Sequence, residues 1–114
     1  PIYASSLISL AGTLKDIFSR INVAINELIN EIIENNPAAV PQCGEPHVFK
    51  RLTTEDNKIP VGLELEEIYD RIRMVDHDDY PNAFITYDNV KIEFSGAKIV
   101  NETLEVVCVI KKLT

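Results

Sequence analysis

The chain has 114 residues, a net charge of −7, and 46% hydrophobic against 25% charged residues. That composition belongs to one globular domain or part of one, and it excludes a disordered chain. Basic residues are scattered apart from Lys50-Arg51 and Lys111-Lys112; nucleic-acid surfaces reward clustered Lys and Arg, so nucleic acid is not an expected partner.

Cys43 and Cys108 are too few for a disulfide framework and lack zinc-ligand spacing. Two reduced thiols in a cytoplasmic protein are expected. No apolar run spans a membrane, and no basic, apolar leader opens the chain.

In chain order, Ile2 to Leu10 has short apolar bursts broken by serine and reads as an extended segment, an edge strand. The start on Pro, without Met, reads as a strand and loop already in progress, as in a piece of a longer chain. Gly12-Thr13 then marks a helix start, with Thr13 as N-cap and Asp16 answering it in a weak capping box.

From Leu14, apolar residues recur at Ile17, Phe18, Ile21, Ala24, Ile25, Leu28, Ile29, Ile32 and Ile33. Steps of three and four predict a long amphipathic helix. Asn35-Asn36-Pro37 stops it, since the residue before proline avoids helical backbone. The apolar stripe needs a surface to cover it.

A Pro-rich loop, "PAAVPQCGEP", precedes "HVFKRL", which reads as a short strand, and the polar "TTEDNKIP", which reads as a turn or flexible loop. Leu63 to Val75 predicts a second helix, with acids near its start and arginines near its end, as the helix dipole favours. "AFITY", an Asp88-Asn89 turn and "VKIEFS" read as a hairpin. "AKIV", an Asn-Glu turn and "LEVVCVIKKL" read as a further pair, giving a four-strand meander. The expected class is α+β: a long and a shorter helix with a small antiparallel C-terminal sheet.

Three constellations could carry chemistry. His77 sits among Asp76, Asp78 and Asp79, but neighbours in sequence rarely converge on one ion, and the calcium-loop pattern is missing. No metal is expected. The same cluster could serve as an acid–base pair, yet no nucleophile pattern accompanies it. Gly12, Gly44, Gly62 and Gly96 belong to no phosphate-cradling fingerprint. On residues alone, a helix end at Arg73–Asp76 followed by a solvated turn at His77–Asp79 is the better account of the cluster.

Order and spelling together carry more. "PIYASSLISLAGTLKDIFSR", "ENNPAAVPQCGEPHVFKRLTTED" and "LELEEIYDRIRMVDHDDYPNAFITYDNVKIEFSGAKI" resemble the back half of the 10-formyltetrahydrofolate-dependent formyltransferases. That family includes methionyl-tRNA formyltransferase and the sugar N-formyltransferases. The resemblance covers residues 1–114, and its most specific part runs from Ile72-Arg73 to Tyr80-Pro81-Asn82-Ala83-Phe84.

The resemblance implies that residues 1–60 end a catalytic domain and residues 61–114 form a short C-terminal subdomain. It implies packing on an upstream Rossmann-like domain holding the catalytic Asn, His and Asp, a His-x-Ser-x-Leu-Pro motif and the 10-formyltetrahydrofolate pocket. None of those motifs occurs here, so no catalytic residue is assigned and the segment alone is expected to be inactive.

A family loop bordering the acceptor matches Lys50, Arg51, Thr53, Glu55 and Asp56, with Leu52 in place of an Arg and Thr54 in place of a Pro. Arg73, Tyr80 and Pro81 match the second segment by the same cleft. The implied substrate-binding residues are thus Lys50, Arg51, Thr53, Asp56, Arg73, Tyr80 and Pro81. The implied acceptor is a primary amine, on a nucleotide-linked amino sugar or methionyl-tRNA; the short C-terminal part and acidic balance favour the sugar. In the sugar enzymes the terminal strands commonly form a homodimer contact. A stand-alone dimerisation or binding module is the alternative from another class, and a metal-dependent hydrolase centred on the Asp/His cluster is a weaker third.

Overall fold

The computed structural model describes residues 1–113. Helix α1 runs Leu14–Asn35, a 3₁₀ turn Thr54–Asn57, helix α2 Leu65–Arg73, and strands β1 Ala83–Tyr87, β2 Val90–Val100 and β3 Thr103–Lys112. The class is α+β, as expected. Contacts divide the chain into two compact units, Pro1–Ala11 with Asp16–Arg51, and Gly12–Lys15 with Leu52–Thr114.

In the first unit α1 ends where asparagine and proline predict. Asn36 takes a left-handed φ of 42°, and its N–H donates to Ile32 O at 3.0 Å. This is the single-bond αL cap, which satisfies one terminal carbonyl before Pro37 prevents continuation. The opening segment is irregular rather than a strand. It makes one antiparallel bridge, Ile2 with Val40, and its carbonyls at Ser9 and Ala11 accept from Arg20 Nη1 at 3.0 and 2.6 Å.

Ile17 is buried, whereas Val23, Ile25, Ile29, Ile32 and Ile33 are exposed. The periodicity was therefore sufficient for the helix but not for its cover. "HVFKRL" forms no strand either; Val48 and Phe49 are exposed, and an extended segment without a ladder partner is not a strand.

In the second unit the apolar side of α2 packs on β2 and β3. Ile72, Ala83 and Phe84 are its buried core. The helix is shorter than the predicted 63–75, because Glu64 sits outside it as N-cap, its N–H donating to the Glu67 carboxylate at 3.0 Å.

The sheet has three antiparallel strands in the order β1-β2-β3, not four. Gly96 looked like a break. Instead the register jumps from Ser95↔Val107 to Lys98↔Glu105, so one strand continues through a bulge. Gly96 adopts a φ of 59°, and its N–H donates to Asp76 Oδ2 at 2.9 Å. The closing hairpin turn has left-handed φ at both Asn101 (48°) and Glu102 (61°), which matches the right-handed strand twist.

Asp76, read as the end of a helix, therefore holds the bulge. Asp76→Ala is expected to lower unfolding stability by about 1 kcal/mol. Asp78→Ala, which removes only the exposed 3.2 Å pair with Lys15, should change it by less than about 0.5 kcal/mol. Paired urea titrations check the contrast, and equal losses would refute it. No helix among the described residues is long and apolar enough to cross a membrane.

Candidate functional site

The 53–57 turn forms because Thr53 and Asp56 satisfy each other. The Asp56 carboxylate accepts the Thr53 N–H at 2.6 Å and the Thr53 hydroxyl at 3.1 Å. Of the two expected forms, turn or flexible loop, the segment is a turn, capped and 3₁₀ in type. The Thr-x-x-Asp spacing in the sequence is the signal that could have revealed it.

Past the cap, Asn57 Nδ2 donates to Pro81 O at 2.8 Å, and Ile59 N–H donates to Phe84 O at 2.9 Å. These bonds clip the turn to the Tyr80-Pro81 segment. Asn57 was absent from the sequence assignment; only this distant partner gives it a role.

Tyr80 lies at the end of the acidic turn. Its N–H donates to His77 O at 3.1 Å, and its ring meets His77 edge-on at 5.5 Å. His77 Nδ1 accepts the Asp79 N–H at 3.0 Å. The cluster therefore builds the turn that delivers Tyr80 and Pro81. Among the described residues no group of three or more His, Cys, Asp or Glu could hold a metal ion.

Arg73 faces inward from the end of α2. Its Nε donates to Asp70 Oδ1 at 2.8 Å, its Nη1 to Gly12 O at 3.0 Å, and its guanidinium lies 5.3 Å from the Tyr69 ring centre. Gly12 has a φ of 86°, a backbone region suited to glycine. Lys15 N–H donates to Asp76 O at 3.3 Å, so the start of α1 is tied to the end of α2 at two places.

Between the 53–57 turn and α2 lies an open cleft of about 440 Å³, edged by Leu52, Asp56, Asn57, Glu67, Asp70 and Arg71. Its carboxylates hold the local frame: Asp56 caps the turn, Glu67 caps α2, and Asp70 pairs with Arg73. The arrangement gives shape and polar edges. Of the predicted residues, Thr53, Asp56, Arg73, Tyr80 and Pro81 belong to this unit, while Lys50 and Arg51 are exposed in the other.

The segments whose spelling resembles the formyltransferases thus form a long helix start bonded to a second helix end, a capped loop clipped to a Tyr-Pro turn and, among the described residues, a three-stranded sheet. A family model described as "Methionyl-tRNA formyltransferase, C-terminal domain" matches residues 54–111. Among solved structures, a methionyl-tRNA formyltransferase from Clostridium thermocellum is 37% identical with a TM-score of 0.84, over 92% of this chain and 47% of that one. The chain thus spans about half that enzyme's length. No curated protein matches it. The chain belongs to the methionyl-tRNA formyltransferase C-terminal-domain family.

Proposed function

We propose that this segment is the acceptor-side part of an enzyme that moves a formyl group from 10-formyltetrahydrofolate to a primary amine. The observation that carries the reading is the clip between the Thr53–Asn57 turn and Tyr80-Pro81, which joins two segments that the sequence had assigned separately to the acceptor cleft. Thr53 and Asp56 set the loop, Arg73 holds the helix junction, and Tyr80 and Pro81 lie beside the cleft, joined to it through the Asn57–Pro81 bond. Lys50 and Arg51 extend the proposal to an anionic acceptor.

Residues 1–60 would complete the catalytic domain and 61–114 would form its C-terminal subdomain. An upstream Rossmann-like domain would bind the folate and supply the catalytic groups; the exposed apolar residues of α1 are a surface it could cover. A nucleotide-linked amino sugar is favoured over methionyl-tRNA by the net charge of −7. A homodimer contact and a cytoplasmic setting, with Cys43 and Cys108 as free thiols, belong to the same reading.

The isolated chain is expected to transfer no formyl group to either acceptor. Joined to the part of the Clostridium thermocellum enzyme that it does not cover, it should yield a chimera that does. Turnover by the isolated chain would overturn its assigned inactivity, and a folded but inert chimera would overturn the acceptor-side role.

A further inference from the structure

Glu67, Asp70, Arg71 and Met74 follow one another along a stripe of α2 at helical spacing. All four line the cleft of about 440 Å³. Glu67 and Arg71 stand one turn apart, where opposite charges ordinarily pair. Here they do not. The Glu67 carboxylate folds back to the Glu64 N–H through Oε2, and Asp70 Oδ1 holds Arg73 Nε. The Arg71 side chain is left exposed, with no hydrogen bond or ion pair among the described residues.

Beside these charges the cleft is apolar. Leu63 and Val75 line it half-buried, and Leu52 and Met74 are 70% and 39% exposed there. Leu52 stands where the loop of the resembled family has an Arg, so the cleft carries an apolar side chain in place of a cation.

Three chemistries therefore meet in one open site. The Arg71 guanidinium matches a carboxylate through two parallel bonds. Glu67 Oε1 and Asp70 Oδ2 accept no bond among the described residues, and both can accept from an ammonium. The apolar side chains suit a hydrocarbon body. Charge narrows the choice further. With Asp70 offset by Arg73, Asp56 and Glu67 outweigh Arg71 by one charge. A polyanion meets that excess, whereas a zwitterion adds no net charge and answers both signs.

We propose that this cleft binds a free α-amino acid with an apolar side chain. Its carboxylate pairs with Arg71, its ammonium lies against Glu67 and Asp70, and its side chain covers Leu52, Leu63, Met74 and Val75. The ammonium end is chemistry that the acceptor reading already asks of this cleft. The free carboxylate and the apolar body go beyond that reading, and the binding depends on no formyl transfer.

Titration of the nitrogen-15-labelled chain with L-leucine, followed by amide shifts, tests this. Saturable shifts are expected around residues 52–57 and 63–75, with a Kd of about 1 mM, as suits a small ligand in an open site. Arg71→Gln should weaken binding about ten-fold or more. L-leucine methyl ester lacks the carboxylate charge. It should bind the wild type weaker by a similar factor, yet bind Arg71→Gln no worse than L-leucine does. Glu67→Gln keeps an acceptor for the Glu64 N–H; it should weaken L-leucine but not 4-methylpentanoate, which has no ammonium. Glycine, without an apolar side chain, should bind about ten-fold less tightly than L-leucine.

No saturable shift at the cleft with L-leucine up to about 20 mM overturns the proposal. So does equal affinity of wild type for the amino acid and its ester, or of wild type and Arg71→Gln for the amino acid. Thermal melts check that the variants fold, and the ester comparison needs no variant. The readouts also separate from the formyl-transfer assay. An inert chimera whose 114-residue part binds L-leucine counts against formyl transfer alone. A working chimera with a chain that ignores L-leucine counts against this inference alone.

Discussion

Ile72→Ala is expected to remove about 3–4 kcal/mol of unfolding stability, the largest loss of any single substitution considered for this chain. Ile72 is 1% exposed, and Ala83 and Phe84 are the other buried apolar residues of its unit. The side chain also lines an open apolar groove of about 420 Å³ with Ile68, Ile85, Phe94 and Leu104. Truncation removes transfer free energy and leaves space that the neighbours fill only in part. A loss of that size is a large share of the stability of a small unit. Ile72→Val should cost only about 1 kcal/mol. Urea unfolding followed by far-UV circular dichroism measures both, and an alanine variant within about 1 kcal/mol of wild type would refute this core assignment.

Arg73→Ala should cost about 2–3 kcal/mol, since it removes a charged partner from Asp70 and the donor to Gly12 O. Its side chain is only 16% exposed, so solvent replaces these bonds poorly. Arg73→Lys keeps the charge but lacks the planar fork that reaches two acceptors, and should recover roughly half of the loss. Amide exchange at Thr13–Lys15 is the discriminating readout, because the Arg73–Gly12 bond holds that stretch. Faster exchange there in Arg73→Ala, with partial recovery in Arg73→Lys, is the expected pattern. Unchanged exchange would mean that Arg73 does not secure the start of α1.

The elements differ in how much of them a sequence reader could see. The α1 stripe, its Asn-Pro stop, α2 and the 83–94 hairpin all follow from local periodicity and turn chemistry, which depend on residues a few positions apart. The family segment from Ile72 to Phe84 was legible by spelling. The misplaced strands share one cause. "HVFKRL" has strand composition but no neighbour to pair with, and Gly96 has the composition of a break but lies in a bulge whose N–H is satisfied from Asp76, far away in the chain. Pairing and long-range acceptance are not local properties.

The site shows the same division. Residue types near Thr53–Asp56 and Arg73–Pro81 marked the segments. That Asn57 joins them, that Asp76 serves the sheet, and that Arg73 reaches Gly12 depended on contacts across 24, 20 and 61 positions of chain. By itself the sequence determined the two helices, the hairpin, the acidic charge and the family, because each is written in short-range pattern. Only the tertiary structure decided that, among the described residues, three strands form the sheet and that the acidic turn is a scaffold. Those outcomes depend on which distant groups meet, and no window of local sequence contains both partners.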